Sequence, residues 1–462
     1  MMYSLKVAAG IAAYCLLISM GCASLPDTEN LTERYAAQAA RFESVHGELS
    51  AKRSAALVAE LKRKSGNLDI LDKQLALEQQ LVGSPLVVGN KVTLLQDGPA
   101  TFKAMFAAIG KAKDHINVES YIIEDGEIGQ KFADLLIDRQ KNGVQVNLIY
   151  DSVGGLGTPQ AYFDKLTQAG VKVLEFNPIN PLDAKKSWEL NNRDHRKLLV
   201  VDGRVAFLGG INISNVYSSG SSGGKSSAPV DPKKGWRDTH VQVDGPVVAE
   251  FQKLFIQTWE KQHGSPLAKR NYYPVLTPQG NEFVRALGST PDDPYSIIYL
   301  TLIAAITNAE KQVYITNAYF VPDQQLMKAL IEAAARGVDV RIILPSHSDS
   351  AMVFHAGRSN YEDLLEGGVK VYELNGAVLH AKTVVIDGVW SCIGSYNLDW
   401  RSALDNNELN AVILGKEFAK KMQDQYMKDI AASKFIDPEV WKKRSLFVRM
   451  KEWGARLWGR LL

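Results

Sequence analysis

Two segments of the chain carry the same basic, acidic and amide side chains at the same spacing. Both follow the pattern H-x-K-x4-D-x6-G-x2-N. The histidine and lysine of each segment are two residues apart, so on a strand they share a face. Two imidazoles, two ammonium groups and two amides in one site would suit displacement at a phosphodiester, whose oxygens need cations and hydrogen-bond donors. The first segment contains His195, Lys197, Asp202, Gly209 and Asn212, and the second contains His380, Lys382, Asp387, Gly394 and Asn397.

The repeated motif resembles that of the phospholipase D superfamily, in which two H-x-K-D motifs form one active site. The resemblance rests on the repetition, because a single copy would be a weak signal. The alternative is a pair of basic edge strands with solvated histidines. That alternative explains neither the second copy nor the shared glycine and asparagine.

In such a site Lys197 and Lys382 would hold phosphoryl oxygens, and Asn212, Asn397 and Ser395 would contribute to substrate binding. We expect no metal ion or other cofactor, since no carboxylate cluster suited to Mg²⁺ is evident. One neutral histidine would attack phosphorus and form a phosphohistidine, while the other, protonated, would donate to the leaving alkoxide. An unperturbed histidine titrates near about 6.5, so both protonation states are accessible at neutral pH.

The resemblance also implies roles for the two histidines. The residues themselves leave the nucleophile undecided, and similarity to two-motif members of the family favours His195 as nucleophile and His380 as general acid and base. In the family a carboxylate that follows the motif holds the second imidazole nitrogen. Glu408, 28 residues after His380, matches that position, and Asp238 is its counterpart after the first motif. The alternative for either acid is a solvated side chain.

The motif aspartates are expected to have a structural role. Asp202 and Asp387 each follow their lysine by a strand's length. We therefore expect them to hold turns near the catalytic site rather than to touch substrate.

Composition is that of an ordinary globular enzyme. The chain has 462 residues, 46% of them hydrophobic and 23% charged, and this length suffices for two domains. A net charge of +2 gives no reason to expect a nucleic-acid partner. The three cysteines indicate neither a disulfide framework nor a metal site.

The N-terminus is typical of an export signal. An apolar run of 14 residues, Val7 to Met20, follows Lys6 and is shorter than the roughly 20 residues that span a bilayer. Cys22 follows in a context that resembles a bacterial lipoprotein signal, although Ser19 and Met20 depart from the usual pattern. The alternatives are an uncleaved anchor or a signal without lipid. Each of them predicts a protein that is exported or tethered to a membrane. With the lipoprotein-like signal the predicted location is the cell envelope, anchored to a membrane and facing the periplasm or the exterior.

Internal repetition predicts the fold. Gly143-Val144-Gln145-Val146 parallels Gly337-Val338-Asp339-Val340, and Gly170-Val171-Lys172-Val173 parallels Gly368-Val369-Lys370-Val371. A third pair, Glu119-Ser120-Tyr121 and Asn317-Ala318-Tyr319, precedes them in each half. Each Gly-Val-x-Val reads as helix, tight turn and strand. The sequence therefore predicts two similar α/β sandwich domains related by a pseudo-twofold axis, preceded by a helical extension.

We divide the chain accordingly. The predicted segments are a signal peptide over 1–21, a helical extension over 22–85, the two phospholipase D-like domains over 86–265 and 266–440, and an amphipathic basic tail over 441–462. The extension has helical periodicity and no chemistry of its own, and it could be a spacer between the catalytic body and a membrane. Nine of the ten residues from Ser218 to Ser227 are Ser or Gly, which predicts a mobile insertion, either a flap beside the site or a tolerated surface loop.

Within the superfamily, residues 86 to 440 are most similar to bacterial cardiolipin synthases. The matching phrases are Asn192-Arg193-Asp194-His195-Arg196-Lys197, Trp236-Arg237-Asp238-Thr239-His240-Val241 and Tyr319-Phe320-Val321-Pro322-Asp323. The resemblance implies transfer of a phosphatidyl group from one phosphatidylglycerol to another, with phospholipids as substrates and no requirement for an oligomer. Many relatives carry two N-terminal membrane spans, and this chain has the lipoprotein-like leader instead. A phosphodiesterase acting on phospholipid or nucleic acid, or an inactive lipid-binding protein, remain the alternatives.

The C-terminal tail adds an independent indication of a membrane. Between Lys442 and Leu462 there are seven Lys or Arg residues and one acid, Glu452. On a helical wheel the apolar side chains share one face and three arginines share another. This composition is typical of a helix that lies on an anionic bilayer. The alternative is an amphipathic helix docked on the protein itself.

Overall fold

The computed structural model describes residues 25–28, 41–66, 68–180, 189, 191–220 and 235–461. The expectations for the signal peptide, for lipidation at Cys22 and for most of the Ser/Gly-rich insertion concern residues outside these ranges, so they stay predictions.

The first half of the chain forms a mixed seven-stranded sheet. Its three parallel strands continue into four antiparallel ones, in the spatial order β6–β5–β4–β8–β9–β10–β3. The strands are β3 (Leu86–Gln96), β4 (His115–Ser120), β5 (Gln145–Asp151), β6 (Lys172–Phe176), β8 (Lys197–Val201), β9 (Val205–Gly209) and β10 (Thr239–Asp244). Its helices are α3 (Asp97–Lys111), α4 (Glu127–Lys141), α5 (Gln160–Gln168) and α6 (Val248–Lys261).

The second half repeats this topology strand for strand. Its order is β14–β13–β12–β15–β16–β17–β11, again with three parallel strands followed by four antiparallel ones. These strands are β11 (Glu282–Ser289), β12 (Gln312–Thr316), β13 (Asp339–Pro345), β14 (Lys370–Leu374), β15 (Thr383–Ile386), β16 (Trp390–Gly394) and β17 (Asn406–Leu414). The main helices are α7 (Ile297–Thr307), α8 (Gln324–Ala335), α9 (Ala351–Arg358), α10 (Tyr361–Glu366), α11 (Trp400–Leu404) and α12 (Lys416–Ala431). The predicted pair of α/β sandwich halves is confirmed.

Local sequence explains why the repeat units form. In each half a glycine with positive φ ends a helix and a β-branched strand follows, as at Gly143 (φ 86°) after α4 and Gly337 (φ 89°) after α8. A residue with a side chain is strained in that conformation, so glycine supports the sharp reversal from helix to strand.

The two halves share a core and a sheet junction. β3 pairs with β11 in antiparallel register, Val87 opposite Val284, which joins the two sheets at their equivalent edges. One apolar cluster contains Val241 and Phe251 of the first half together with Ile413 and Phe418 of the second. Residues 262–281, which connect the halves, contain no helix or strand.

The N-terminal extension packs into the second half. It contains β1 (Phe42–Ser44), β2 (Gly47–Glu48), α1 (Ala51–Ser65) and α2 (Ile70–Leu81). The apolar side of α2 joins the core of the second half, for example through Leu71 and Leu75 against α7. Helix α2 is therefore a buried element of the body and not a spacer, whereas most side chains of α1 are exposed. The helical periodicity predicts the apolar face of α2 correctly, but it does not show which surface covers that face.

The chain ends on the second half. β18 (Ser433–Phe435) pairs with β14 at the sheet edge, and α13 (Pro438–Lys442) and α14 (Leu446–Arg456) follow. Short 3₁₀ helices occupy Asn215–Tyr217 and Gly459–Leu461. None of the helices in the described ranges is long and apolar enough to cross a bilayer.

A buried ion pair holds α2 in place, and its disruption is a test of this packing. Glu78 and Arg285 are fully buried with 3.2 Å between Oε2 and Nε, and the Trp390 indole donates to Glu78 at 3.0 Å. Glu78→Ala would leave the Arg285 guanidinium buried without its counter-charge. We expect a loss of about 3–5 kcal/mol in the free energy of unfolding, measured by denaturant titration.

The matched control is Glu60→Ala, because Glu60 pairs with Lys64 on the exposed surface of α1. That substitution should leave the free energy of unfolding nearly unchanged, because solvent screens an exposed ion pair. Equal stability of the two variants would contradict the packing of α2 described above.

Candidate active site

Each motif histidine is positioned by the backbone of the opposite half. β7 (Arg193–Asp194) runs parallel to the start of β17, and the His195 amide donates to the Asn407 carbonyl at 3.0 Å. The second motif repeats the arrangement, because the His380 amide donates to the Arg237 carbonyl at 2.8 Å. The residue that accepts each bond is the one just before an acid, Glu408 or Asp238.

The carboxylates therefore cross over between the halves. Nδ1 of His195 lies 3.0 and 3.1 Å from the two carboxylate oxygens of Glu408, and Nδ1 of His380 lies 2.8 Å from Oδ2 of Asp238. The order along the chain associates each acid with the histidine that precedes it, and this association is corrected by the structure. Both acids do contact a motif histidine, but each contacts the histidine of the other half.

The two lysines occupy equivalent positions beside their histidines. Each ammonium group donates to the backbone carbonyl of its own motif histidine. Lys197 lies 5.3 Å from the ring centre of Tyr121, and Lys382 lies 5.9 Å from that of Tyr319. The same rings approach the histidines, with centroid distances of 5.2 Å to His195 and 6.0 Å to His380.

Burial and neighbouring charges set the protonation of the histidines. Burial lowers the pKa of His195 to about 4, and the positive charges of Lys197 and Lys382 act in the same direction against the attraction of Glu408. Burial likewise lowers the pKa of His380, helped by both lysines and opposed by Asp238. Since each histidine is influenced by the lysine of the other half, the two motifs form one electrostatic site.

The lysines and the acids respond to the same burial. It lowers the pKa of Lys197 to about 7 and that of Lys382 to about 8, although Glu408 and Asp238 favour the charged lysines. For the two acids, burial alone would raise the pKa. The hydrogen bond and charge of the paired histidine, together with the lysine charges, outweigh it, so the pKa values of Asp238 and Glu408 are lowered.

Hydroxyl groups hold Glu408 in place. Ser402 donates to Oε1 at 2.7 Å and Ser395 donates to Oε2. Ser395, predicted to bind substrate, has its hydroxyl on the carboxylate instead. Of the two predicted amides, Asn212 accepts a hydrogen bond from the Ile122 amide at 3.2 Å. The side-chain oxygen of Asn397 is buried and has no partner among the described residues.

The motif aspartates hold turns at the far ends of their strands. Oδ1 and Oδ2 of Asp202 accept from the amides of Lys113, Asp114 and His115 at 2.8–3.1 Å. Asp387 accepts in the same way from the amides of residues 310, 311 and 312 at 2.7–2.9 Å. Both aspartates adopt positive φ, 54° and 52°. They fix the far ends of β8, which begins with Lys197, and of β15, which directly follows Lys382.

Several contributing residues were missed by sequence reasoning. Arg237 donates two hydrogen bonds to Asp429 of α12, at 3.0 and 2.9 Å, and so holds the Asp238 segment on the opposite half. The Tyr217 hydroxyl lies 3.1 Å from Nδ1 of His380. Tyr121 and Tyr319 occupy matching places in the repeated segments, and that repetition was a signal by which both could have been found.

Comparisons with known proteins show which family the chain resembles. The profile of the family described as "Cardiolipin synthase, PLD-like domain" matches residues 105–219 and 302–430. The cardiolipin synthase of Geobacillus kaustophilus is 35% identical over 391 residues, which cover 84% of this chain and 76% of that protein. The cardiolipin synthase of Listeria monocytogenes is 35% identical over 379 residues, covering 81% and 76%.

The chain belongs to the cardiolipin synthase family. It is thus an enzyme of the phosphatidyltransferase type within the phospholipase D superfamily. Among solved structures, phosphatidylserine synthase of Haemophilus influenzae Rd KW20 has a TM-score of 0.60 and 16% identity, covering 87% of this chain and all of that one. At that identity the likeness supports the fold alone. In the described part of this family member, no group of three or more His, Cys, Asp or Glu side chains could hold a metal ion.

Removing one carboxylate should identify the histidine that it serves. Glu408→Gln removes the negative charge beside His195, so the imidazole becomes less basic and less nucleophilic. Diethyl pyrocarbonate should therefore modify His195 more slowly while His380 reacts as before. Asp238→Asn should have the opposite selectivity. Modification rates at each histidine can be followed by peptide mass spectrometry. We also expect each substitution to lower turnover by about 10³–10⁴-fold.

Asp164→Asn, on the exposed face of α5, serves as the control and should leave both rates unchanged. If Glu408→Gln slowed the modification of His380 instead, the crossed pairing would be refuted.

Proposed function

We propose that the chain joins two phosphatidylglycerol molecules into cardiolipin and releases glycerol. The observation that supports this most directly is that each motif histidine contacts a carboxylate of the other half, with a buried lysine beside each histidine. The relatives named cardiolipin synthases support the choice of reaction. Phosphatidylglycerol is proposed as both donor and acceptor, with no nucleic-acid substrate.

His195 is the proposed nucleophile. Its Nδ1 is hydrogen-bonded to Glu408, which leaves the Nε2 lone pair for attack. A pKa of about 4 keeps the ring neutral at physiological pH. A bond forms between Nε2 and phosphorus while the bond from phosphorus to the glycerol oxygen breaks. His380 gives its proton to that oxygen, so glycerol leaves neutral and a phosphohistidine remains.

The second step reverses the roles. The hydroxyl of a second phosphatidylglycerol gives its proton to His380 and attacks phosphorus, and the bond between phosphorus and Nε2 breaks. Cardiolipin forms, His195 returns to its neutral state and His380 is again protonated. Atoms and charge balance over the two steps without water, metal or redox cofactor.

The negative charge of a bound substrate would raise the pKa values that burial lowers in the free site. Burial and the lysines lower the pKa of His380, but a phosphodiester bound beside it would bring a negative charge that raises it. The same charge would keep Lys197 and Lys382 protonated, although their pKa values in the free site are about 7 and 8. Asn212 and Asn397 are proposed as neutral donors to the remaining phosphoryl oxygens. The protonated state needed for catalysis would thus form when the anionic substrate binds.

The proposed location is the cell envelope. A phospholipid substrate requires access to a bilayer, and the apolar run before Cys22 would direct the chain for export. Lipidation of Cys22 is part of this proposal and can be tested by mass spectrometry of the mature N-terminus.

Product analysis tests the reaction. Purified protein incubated with phosphatidylglycerol vesicles should release free glycerol in equal amount to the cardiolipin formed, and excess EDTA should not reduce the rate. Both products can be followed by mass spectrometry. Phosphatidic acid as the sole lipid product would establish a hydrolase instead, and absence of turnover would favour the lipid-binding alternative.

Substitution of the two histidines should impair the reaction in different ways. His380→Ala removes the acid and base, so turnover should fall by about 10²–10⁴-fold while phosphatidylated His195 can still form slowly and accumulate. His195→Ala removes the nucleophile and should yield no adduct at any time. Peptide mass spectrometry after acid-free digestion measures the adduct.

The buried His240, which takes no part in the proposed steps, provides a control as His240→Gln. It should retain adduct formation and turnover. An adduct on His380 in the His195→Ala variant would reverse the assignment.

A further inference from the structure

The last helix of the chain exposes a continuous apolar stripe. Leu446, Met450, Trp453 and Leu457 are spaced as one face of α14 and its C-terminal end, with 65–77% of each side chain exposed. Seven of the sixteen exposed large hydrophobic side chains in the described part of the chain lie between 446 and 461. A contiguous patch of this kind marks an interaction surface.

The opposite face of α14 fixes the helix on the protein. Glu452 is buried there, accepts a hydrogen bond from Arg444 at 2.9 Å, and has Arg358 of α9 at 3.7 Å. Ala455 packs in a small apolar cluster with Val321. The helix is therefore docked through its polar and small side chains, and the stripe is held facing outward. The alternative in which the tail docks on the protein is therefore observed, and the expectation that it lies on a bilayer stays a prediction.

Helix α14 is linked to the second-half side of the active site through one neighbouring helix. α14 packs along α9, which begins two residues after Asp349. Asp349 accepts a hydrogen bond from the Tyr319 hydroxyl at 2.7 Å, and the Tyr319 ring is the one that approaches His380. Arg460 lies 5.8 Å from the ring of Trp400, at the start of the helix that follows the second motif.

Charge around the stripe decides which partner it fits. Seven Lys or Arg side chains lie between 442 and 461, and the one acid there, Glu452, is buried. Arg449 and Arg456 come within 3.6 and 3.8 Å of acids on α10, and Lys443 and Lys451 are exposed. Exposed tryptophans with basic residues along an apolar stripe match the headgroup region of an anionic bilayer.

We propose that this face of α14 docks on an anionic phospholipid bilayer, with the apolar stripe at the boundary between headgroups and acyl chains. Docking would hold the second-half side of the site close to the lipid surface. The inference rests on the proposed function only in that the substrate is a bilayer phospholipid. A second copy of the chain is the other possible occupant, and the test separates the two.

Local fluorescence quenching tests the insertion. The full chain is mixed with vesicles of brominated phosphatidylglycerol, which quench only tryptophans that reach the acyl chains. Trp453 and Trp458 are 65% and 53% exposed, and we expect substantial quenching in the unmodified chain. Replacing both by phenylalanine should abolish most of it. Because the readout is local, anchoring by another segment does not reproduce it.

A charge-insertion variant and a matched control complete the test. Met450→Glu together with Leu457→Glu should remove the quenching, since both side chains would enter the boundary charged. Val275→Glu changes an even more exposed apolar residue (90%) in the connection between the halves and should leave quenching intact. Brominated phosphatidylcholine alone should give weaker quenching, because it lacks the anionic charge. Circular dichroism verifies that each variant is folded.

Two outcomes would overturn the proposal. One is unchanged quenching in the double tryptophan or double glutamate variant. The other is a concentration-dependent dimer, measured by sedimentation, that the double glutamate variant dissociates while vesicles produce no quenching. The quenching measurement needs no turnover, so a failed product assay would count against the proposed function and not against this inference. Absent quenching would count against this inference and not against the proposed function.

Discussion

The hydrogen bonds by which each half positions the other half's histidine are the constraint on which the site depends. His195 bonds to the Asn407 carbonyl and His380 to the Arg237 carbonyl, and each bond brings an imidazole against the carboxylate next in the chain. Neither half alone contains a histidine with its acid. The active arrangement therefore exists only when the two sandwiches are docked, which gives the β3–β11 junction and the common core a direct functional consequence.

Docking also concentrates charge where water is excluded. Two lysines, two histidines and two carboxylates lie buried together, and their pKa values move in the directions that reduce this cost. Burial and mutual repulsion lower the pKa values of the bases, and the paired histidines and lysines lower those of the acids. An anionic phosphodiester, the substrate class proposed above, would complete the balance of charge.

Symmetry is strict in the backbone and looser around the site. The strand order, the lysine-to-carbonyl bonds, the tyrosine rings and the turn aspartates all repeat in the two halves. The environment of the first motif adds buried charges such as Arg193 beside Asp151, and the second half adds the N-terminal helices and α14. These differences are consistent with unequal tasks for two histidines that share one architecture.

The sequence by itself determined the motif residues, the duplicated α/β architecture and the amphipathic character of the last helix. Each of these is a local pattern: a repeated His-x-Lys spacing next to a strand, a glycine between helix and strand, or a period of a helical turn. Tertiary structure decided which acid serves which histidine, that Ser395 serves Glu408, that α2 is buried on Arg285, and which face of α14 points outward. Glu408 with His195 and Glu78 with Arg285 join residues more than 200 positions apart, Ser395 meets Glu408 across the neighbouring strands β16 and β17, and the exposed face of α14 depends on which surface covers the other face. No local period encodes such contacts, because they form only when separate elements of the chain pack together.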